Sequence, residues 1–210
     1  MKKAVIFDMD GVLIASEPVY QKRRQRFFEK YGIHLTEKQQ LSFVGSNPPK
    51  MMATLFPNDA RKQTEFLTAY RAYTAKHIID YVSILDPMAE TLLKKLQQKG
   101  LTLAVASSGS QRAIEKVLTE TGLASYFETY VSGESFEESK PHPAIYQATA
   151  EKLGYHPSEC IAVEDSYYGV LAASRAGIDV LLLRNPFYHI EAPPQAHAEI
   201  DKLIQVLDFV

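Results

Sequence analysis

The sequence predicts an α/β protein whose Rossmann-like, doubly wound parallel sheet carries a small all-helical domain inserted after the first strand. Short apolar bursts recur along the chain, helical patterns separate them, and one long stretch after the first burst is helical in period throughout. At 210 residues, with 46% apolar and 23% charged residues, the composition is that of one large or two modest globular domains. Disorder, collagen-like repeats and coiled coil are excluded.

Residues 3–7 (KAVIF) form the first burst and end at Asp8; residues 101–106 (LTLAVA), 160–163 (CIAV) and 180–183 (VLLL) repeat the type. All four are expected as buried parallel strands. Between them, Asp86 and Pro87 are expected to open a helix with Leu92, Leu93 and Leu96 in a stripe and Gly100 as its stop. Pro143 can open another, carrying Ile145, Ala148 and Leu153 as far as Gly154. Val170, Leu171 and Ala173 precede a further stop at Gly177.

Residues 16–81 break the alternation and are expected as a separate helical domain, leaving 1–15 and 82–210 as the α/β core. Ser16 is the expected cap of a helix with Glu17 and Pro18 in its first turn, Tyr20, Phe27, Phe28 and Tyr31 along one side, and Gly32 at its end. Phe66, Tyr70, Tyr73 and His77, with Leu67, Thr74, Ile78 and Tyr81 beside them, predict a long helix of about four turns. Residues 15–85 hold eleven Lys/Arg against six Asp/Glu, a net of +5; the chain's total of −2 leaves −7 elsewhere. Residues 185–197 are expected as a surface loop.

A single cysteine excludes an internal disulfide, and the first residues lack the basic-then-apolar plan of a signal peptide, which points to the cytoplasm. No run approaches the roughly 20 apolar residues of a spanning helix. The small net charge argues against a nucleic-acid surface over the whole molecule. Neither membrane nor nucleic acid is an expected partner, and a monomer is the favoured state.

Ligands of such sheets bind beyond the carboxyl ends of the strands. Just past the bursts lie Asp8 and Asp10, Ser107 and Ser108, and Glu164 and Asp165. Clustered carboxylates call for compensation by a hard cation such as Mg²⁺, and Lys140, flanked by Pro141 and Pro143, can reach the same crevice. Cation, lysine and hydroxyl donors together suit a phosphoryl group. Taken singly each piece has a plainer reading. Asp10-Gly11 is a common turn pair, 107–110 can be a helix-capping serine cluster, and a lysine is ordinarily solvated. Their ordered conjunction at strand ends is what favours chemistry.

Asp8-Met9-Asp10-Gly11-Val12, Ser107 after an apolar strand, Lys140-Pro141, and Glu164-Asp165-Ser166 followed by Gly169 resemble the four signature motifs of the haloacid dehalogenase (HAD) superfamily. More narrowly, FDMDGVL, SEP, the helical insert and VEDS resemble its β-phosphoglucomutase-like branch of phosphatases and mutases, over residues 2–183. The resemblance implies that Asp8 is a nucleophile forming an aspartyl-phosphate, and that Asp10 is the acid and then the base. Mg²⁺ would be held by Asp8, the backbone carbonyl of Asp10, and Asp165, with Glu164 a direct or indirect partner. Ser107, Ser108 and Lys140 would hold the phosphoryl group, and the helical insert would be a substrate-selecting lid.

The mutase of that branch carries a histidine shortly after the first motif and an arginine after a glycine in the lid. This chain has Tyr20 near the first place and Gly45-Ser46-Asn47-Pro48-Pro49-Lys50 at the second. The expected activity is therefore hydrolysis of a small phosphorylated metabolite, with a mutase as the alternative, in which Lys50, Arg71 or Lys76 would clamp a second phosphate. Dehalogenation has no use for Asp10 or the Glu164-Asp165 pair. A receiver-like phosphoacceptor module shares the clustered aspartates, hydroxyl and lysine, but has no helical insert of this length.

Overall fold

The computed structural model describes residues 2–210. In chain order the regular elements are β1 (Ala4–Phe7), α1 (Glu17–Glu29), α2 (Glu37–Ser42), α3 (Pro48–Leu55), α4 (Ala60–Lys76), α5 (Ala89–Gln98) and β2 (Thr102–Ser107). There follow α6 (Gln111–Glu120), β3 (Thr129–Ser132), α7 (Ala144–Leu153), β4 (Cys160–Glu164), α8 (Tyr167–Arg175), β5 (Asp179–Leu183) and β6 (Ala198–Ile200). They fall into two compact units, Met1–Ala15 with Tyr81–Val210, and Ser16–Asp80. Among the described residues no helix is long and apolar enough to cross a membrane.

The first unit is a six-stranded parallel sheet in the order β3-β2-β1-β4-β5-β6. The order makes β1 the switch point, because the chain moves to β2 on one side of it and later to β4 on the other. Phe7 stands opposite both Val105 and Val163, so the residues after β1, β2 and β4 emerge level with one another. The central strands are buried on both faces, which explains their continuous apolar runs.

The two strands with no apolar burst, β3 and β6, are the sheet's edges. At an edge one flank is half-exposed, so TYVS and AEI carry polar residues in strand conformation. Asp86 does not open α5. Its carboxylate accepts from the Met88 N–H at 2.8 Å and its carbonyl from the Ala89 N–H at 3.0 Å, making a turn around Pro87 before the helix starts at Ala89. Leu92, Leu93 and Leu96 are buried as their spacing implies.

The second unit is four helices around an aromatic core. Phe27 lies 5.1 Å from Tyr70 and Phe66 lies 4.6 Å from Phe56 between ring centres, with Met51, Met52 and Phe43 closing the cluster. Ser16 stands before α1 but its hydroxyl caps nothing; its carbonyl accepts from Tyr20 N–H instead. Tyr31, 52% exposed, packs at the rim of the aromatic cluster, its ring centre 5.2 Å from that of Phe27 and 5.0 Å from that of Phe66. The long helix stops at Lys76. His77 caps it, with its ring on the Tyr73 carbonyl at 2.7 Å, so Ile78 and Tyr81 lie beyond the helix.

Candidate active site

β1 delivers Asp8 at its carboxyl end, where its N–H bonds to the Val163 carbonyl at 2.9 Å. The chain then coils back, with the Met9 carbonyl accepting from the N–H groups of Leu13 at 2.9 Å and Ile14 at 3.2 Å. Gly11 takes φ of +81°, and a Cβ there would run into the Asp165 carboxylate. The glycine of the first motif is thus required twice, by conformation and by space. Met9 is buried, and Asp10 is half-buried beside the turn.

From the loop before α7, Lys140 enters this space and is 5% exposed. Its Nζ donates to Asp8 Oδ1 at 2.6 Å, to Glu164 Oε1 at 2.5 Å and to the Ala106 carbonyl at 3.1 Å. The solvated-lysine reading is therefore wrong for this residue. Burial opposes the ammonium, but the charges of Asp8 and Glu164 outweigh it and hold the pKa above the usual lysine value.

Glu164 is wholly enclosed. Tyr146 on α7 donates to its Oε1 at 2.6 Å and Ser166 to its Oε2 at 3.1 Å, while the Ser166 hydroxyl also caps α8 by accepting from Gly169 N–H. Gly169 has to be glycine because a Cβ would occupy the space of the Glu164 carboxylate. Asp165 takes hydrogen bonds from Tyr188 and, at 3.4 Å, from Asn185. Asp8, Glu164 and Asp165 offer carboxylate oxygens within 4.8 Å of one another. The Asp10 carboxylate, expected to converge with these three, is not in that group, and it acts on Asp8 and Asp165 by its charge alone.

Burial pushes Asp8 well above the usual carboxylate range, Lys140 opposes this, and Glu164, Asp165 and Asp10 add to it. Burial, then the charge of Glu164, raises Asp165 to about 7. Three buried carboxylates with one ammonium carry an excess of negative charge. Their all-oxygen donor set fits a hard divalent cation rather than one that seeks thiolate or imidazole.

β2 ends at the buried Ser107, whose Oγ accepts from Gly109 N–H at 3.1 Å. Ser108 follows, half-buried, and Ser110 caps α6, so the serine cluster is partly the capping device its plainer reading allows. Sequence reasoning missed Tyr146, Asn185 and Tyr188. A tyrosine on the buried face of α7 is a usable signal, since a buried phenol needs a partner. The loop 185–197 offers none.

The model of the haloacid dehalogenase-like hydrolase family matches residues 5–183. The "Phosphorylated carbohydrates phosphatase" of Thermotoga maritima is 32% identical over 181 residues, which are 84% of this chain and 82% of that protein. The chloroplastic "Protein SUPPRESSOR OF QUENCHING 1" of Arabidopsis thaliana is 33% identical over 190 residues; they make up 86% of this chain and 18% of that protein's length. Among solved structures, a putative β-phosphoglucomutase from Thermotoga maritima superposes with a TM-score of 0.71 at 29% identity, covering 99% of this chain and 97% of the other.

Proposed function

The chain belongs to the haloacid dehalogenase-like hydrolase family, and from that premise we propose that it is a Mg²⁺-dependent phosphatase of a small phosphorylated metabolite. One observation carries the reading: a buried ammonium joins the strand-end carboxylates Asp8 and Glu164, with Asp165 gathered beside them. Ion pairs that serve only stability are seldom enclosed like this, because desolvating them costs several kcal/mol per ion (roughly). An anionic phosphoryl group needs cationic surroundings and an ionised nucleophile in one place.

Asp8, Asp165, the Asp10 carbonyl and, directly or through its neighbours, Glu164 would hold Mg²⁺. When bound, Mg²⁺ supplies positive charge to the phosphoryl oxygens and to Asp8. Lys140 offsets part of the cost of burying the Asp8 carboxylate, and Tyr146 and Ser166 keep Glu164 fixed as the counter-anchor of Lys140. Asp8 attacks phosphorus, forming a carboxylate oxygen–phosphorus bond as the bond to the leaving oxygen breaks. Asp10 gives its proton to that oxygen. Asp10 then takes a proton from water, which attacks phosphorus, releasing phosphate and restoring Asp8. Ser107 and Ser108 donate to the transferred group, and residues 16–81 act as the lid that chooses the ester.

The test is phosphate release from a panel of phosphorylated sugars, nucleotides and small acids, with Mg²⁺ and after chelation. Turnover of at least one small phosphomonoester that disappears with chelator is expected; full turnover without cation rejects the reading. β-Glucose 1-phosphate with a trace of glucose 1,6-bisphosphate separates the mutase. Free phosphate is expected, and efficient formation of glucose 6-phosphate without it would reverse the assignment.

A further inference from the structure

The segment between β5 and β6 has no regular structure, yet two of its side chains reach the carboxylate pocket. Tyr188 is buried, 8% exposed, and its hydroxyl donates to Oδ2 of Asp165. Asn185 donates through Nδ2 to that same oxygen at 3.4 Å, and its Oδ1 accepts from the Phe187 N–H at 3.0 Å. Gly11 closes a third side, since a Cβ there would collide with Oδ2. Both donors therefore address one oxygen of Asp165, and Oδ1 is the oxygen left to a cation.

A carboxylate held in this way coordinates through one oxygen. That restriction suits Mg²⁺, which requires a small, near-octahedral set, and handicaps Ca²⁺, which takes more oxygens and readily accepts both from one carboxylate. We infer that Tyr188, assisted by Asn185, is a positioning residue that holds Asp165 for single-oxygen coordination and makes the centre prefer Mg²⁺ to Ca²⁺. The inference rests on the reading of this pocket as a cation centre. Both donors lie beyond residue 183, where the family match ends.

A tyrosine that merely fills space would, on losing its hydroxyl, leave cation binding alone or weaken both cations alike. The experiment is calorimetric titration of MgCl₂ and of CaCl₂ into the whole, chelator-treated protein without substrate, for the wild type, Tyr188→Phe and Asn185→Ala. Tyr188→Phe is expected to weaken Mg²⁺ binding about tenfold and Ca²⁺ binding no more than about twofold. Asn185→Ala should change the ratio in the same direction by less, and carries the test if the tyrosine variant does not fold. Unchanged Mg²⁺ affinity in the folded variants, or equal losses for the two cations, overturns the inference. A wild type that binds neither cation overturns the reading of the pocket itself, and that failure appears before any substitution is made.

Discussion

The two units of this chain treat charge in opposite ways. In the α/β unit the acids go inside: Asp8, Glu164 and Asp165 are each less than a tenth exposed and share the buried cation Lys140. In the helical unit the cations stay outside, and of its Lys and Arg side chains only Arg24 is buried, bound to Glu17 and to Gln40 at 2.9 Å. Exposed cations repel weakly through water and need no particular neighbours. Buried carboxylates repel strongly, so they dictate which residues surround them, from Lys140 down to the missing side chains of Gly11 and Gly169. Catalytic chemistry leaves a motif in the first setting, while the second leaves a composition.

The comparison breaks most sharply at Asp8. Asp8→Asn keeps the shape and removes the proposed nucleophile, and turnover of any phosphomonoester substrate should fall by about 10⁴-fold or more. Phosphate release by Asp8→Asn at the wild-type rate would mean that the buried acids are an internal salt-bridge network only. The next largest effect belongs to Lys140→Met, which leaves Asp8 and Glu164 facing each other without their cation. Removing one partner of such a buried set costs about 3–5 kcal/mol in urea unfolding. The loss should be smaller at pH 5 than at pH 8, because a protonated Asp8 no longer needs the ammonium. An equal loss at both pH values would show that Lys140 matters by packing.

A smaller effect is expected from pH in the metal-free wild type. Asp165 rises from an ordinary 3.8 to about 7 on folding, so the native state holds its proton more tightly than the unfolded chain. Stability is therefore full below about 4 and declines as pH climbs to about 7, by on the order of a few kcal/mol. Thermal unfolding in chelator should show a falling midpoint across that window, and added Mg²⁺ should flatten it. A midpoint that rises with pH would contradict the electrostatic picture of the pocket.

The same contrast explains which parts of the molecule are legible in the sequence alone. β1, β2, β4 and β5 are legible because both faces of each are covered, whereas β3 and β6 lie at the sheet edges and their polar residues hide them. Asp8, Lys140, Glu164 and Asp165 fall at strand ends or beside prolines, where local pattern marks them. Tyr146 and Tyr188 act through distances of 18 and 23 residues along the chain, which no local pattern records. In the helical unit the period of Phe66, Tyr70 and Tyr73 located α4 but ran past its end. The His77 ring satisfies a terminal carbonyl there, and periodicity cannot tell a capping side chain from a packed one.

The smallest effect tests the helical side of the comparison. Arg24 resembles Lys140 in burial, at 5% exposure each, and in binding more than one acceptor. Its partners differ. Glu17 keeps 14% of its side chain exposed and lies in the first turn of α1, so it can turn to water when the guanidinium is gone, and Gln40 is neutral. Arg24→Met gives up the guanidinium that lies over the Phe43 ring but leaves no trapped pair of like charges. The expected loss is about 1–2 kcal/mol, independent of Mg²⁺ and nearly flat between pH 5 and pH 8. Hydrolysis of a small generic ester should be unchanged. A loss as large as that of Lys140→Met, or one that Mg²⁺ reverses, would show that the helical unit's charge is tied to the carboxylate pocket and that the two units do not differ in kind.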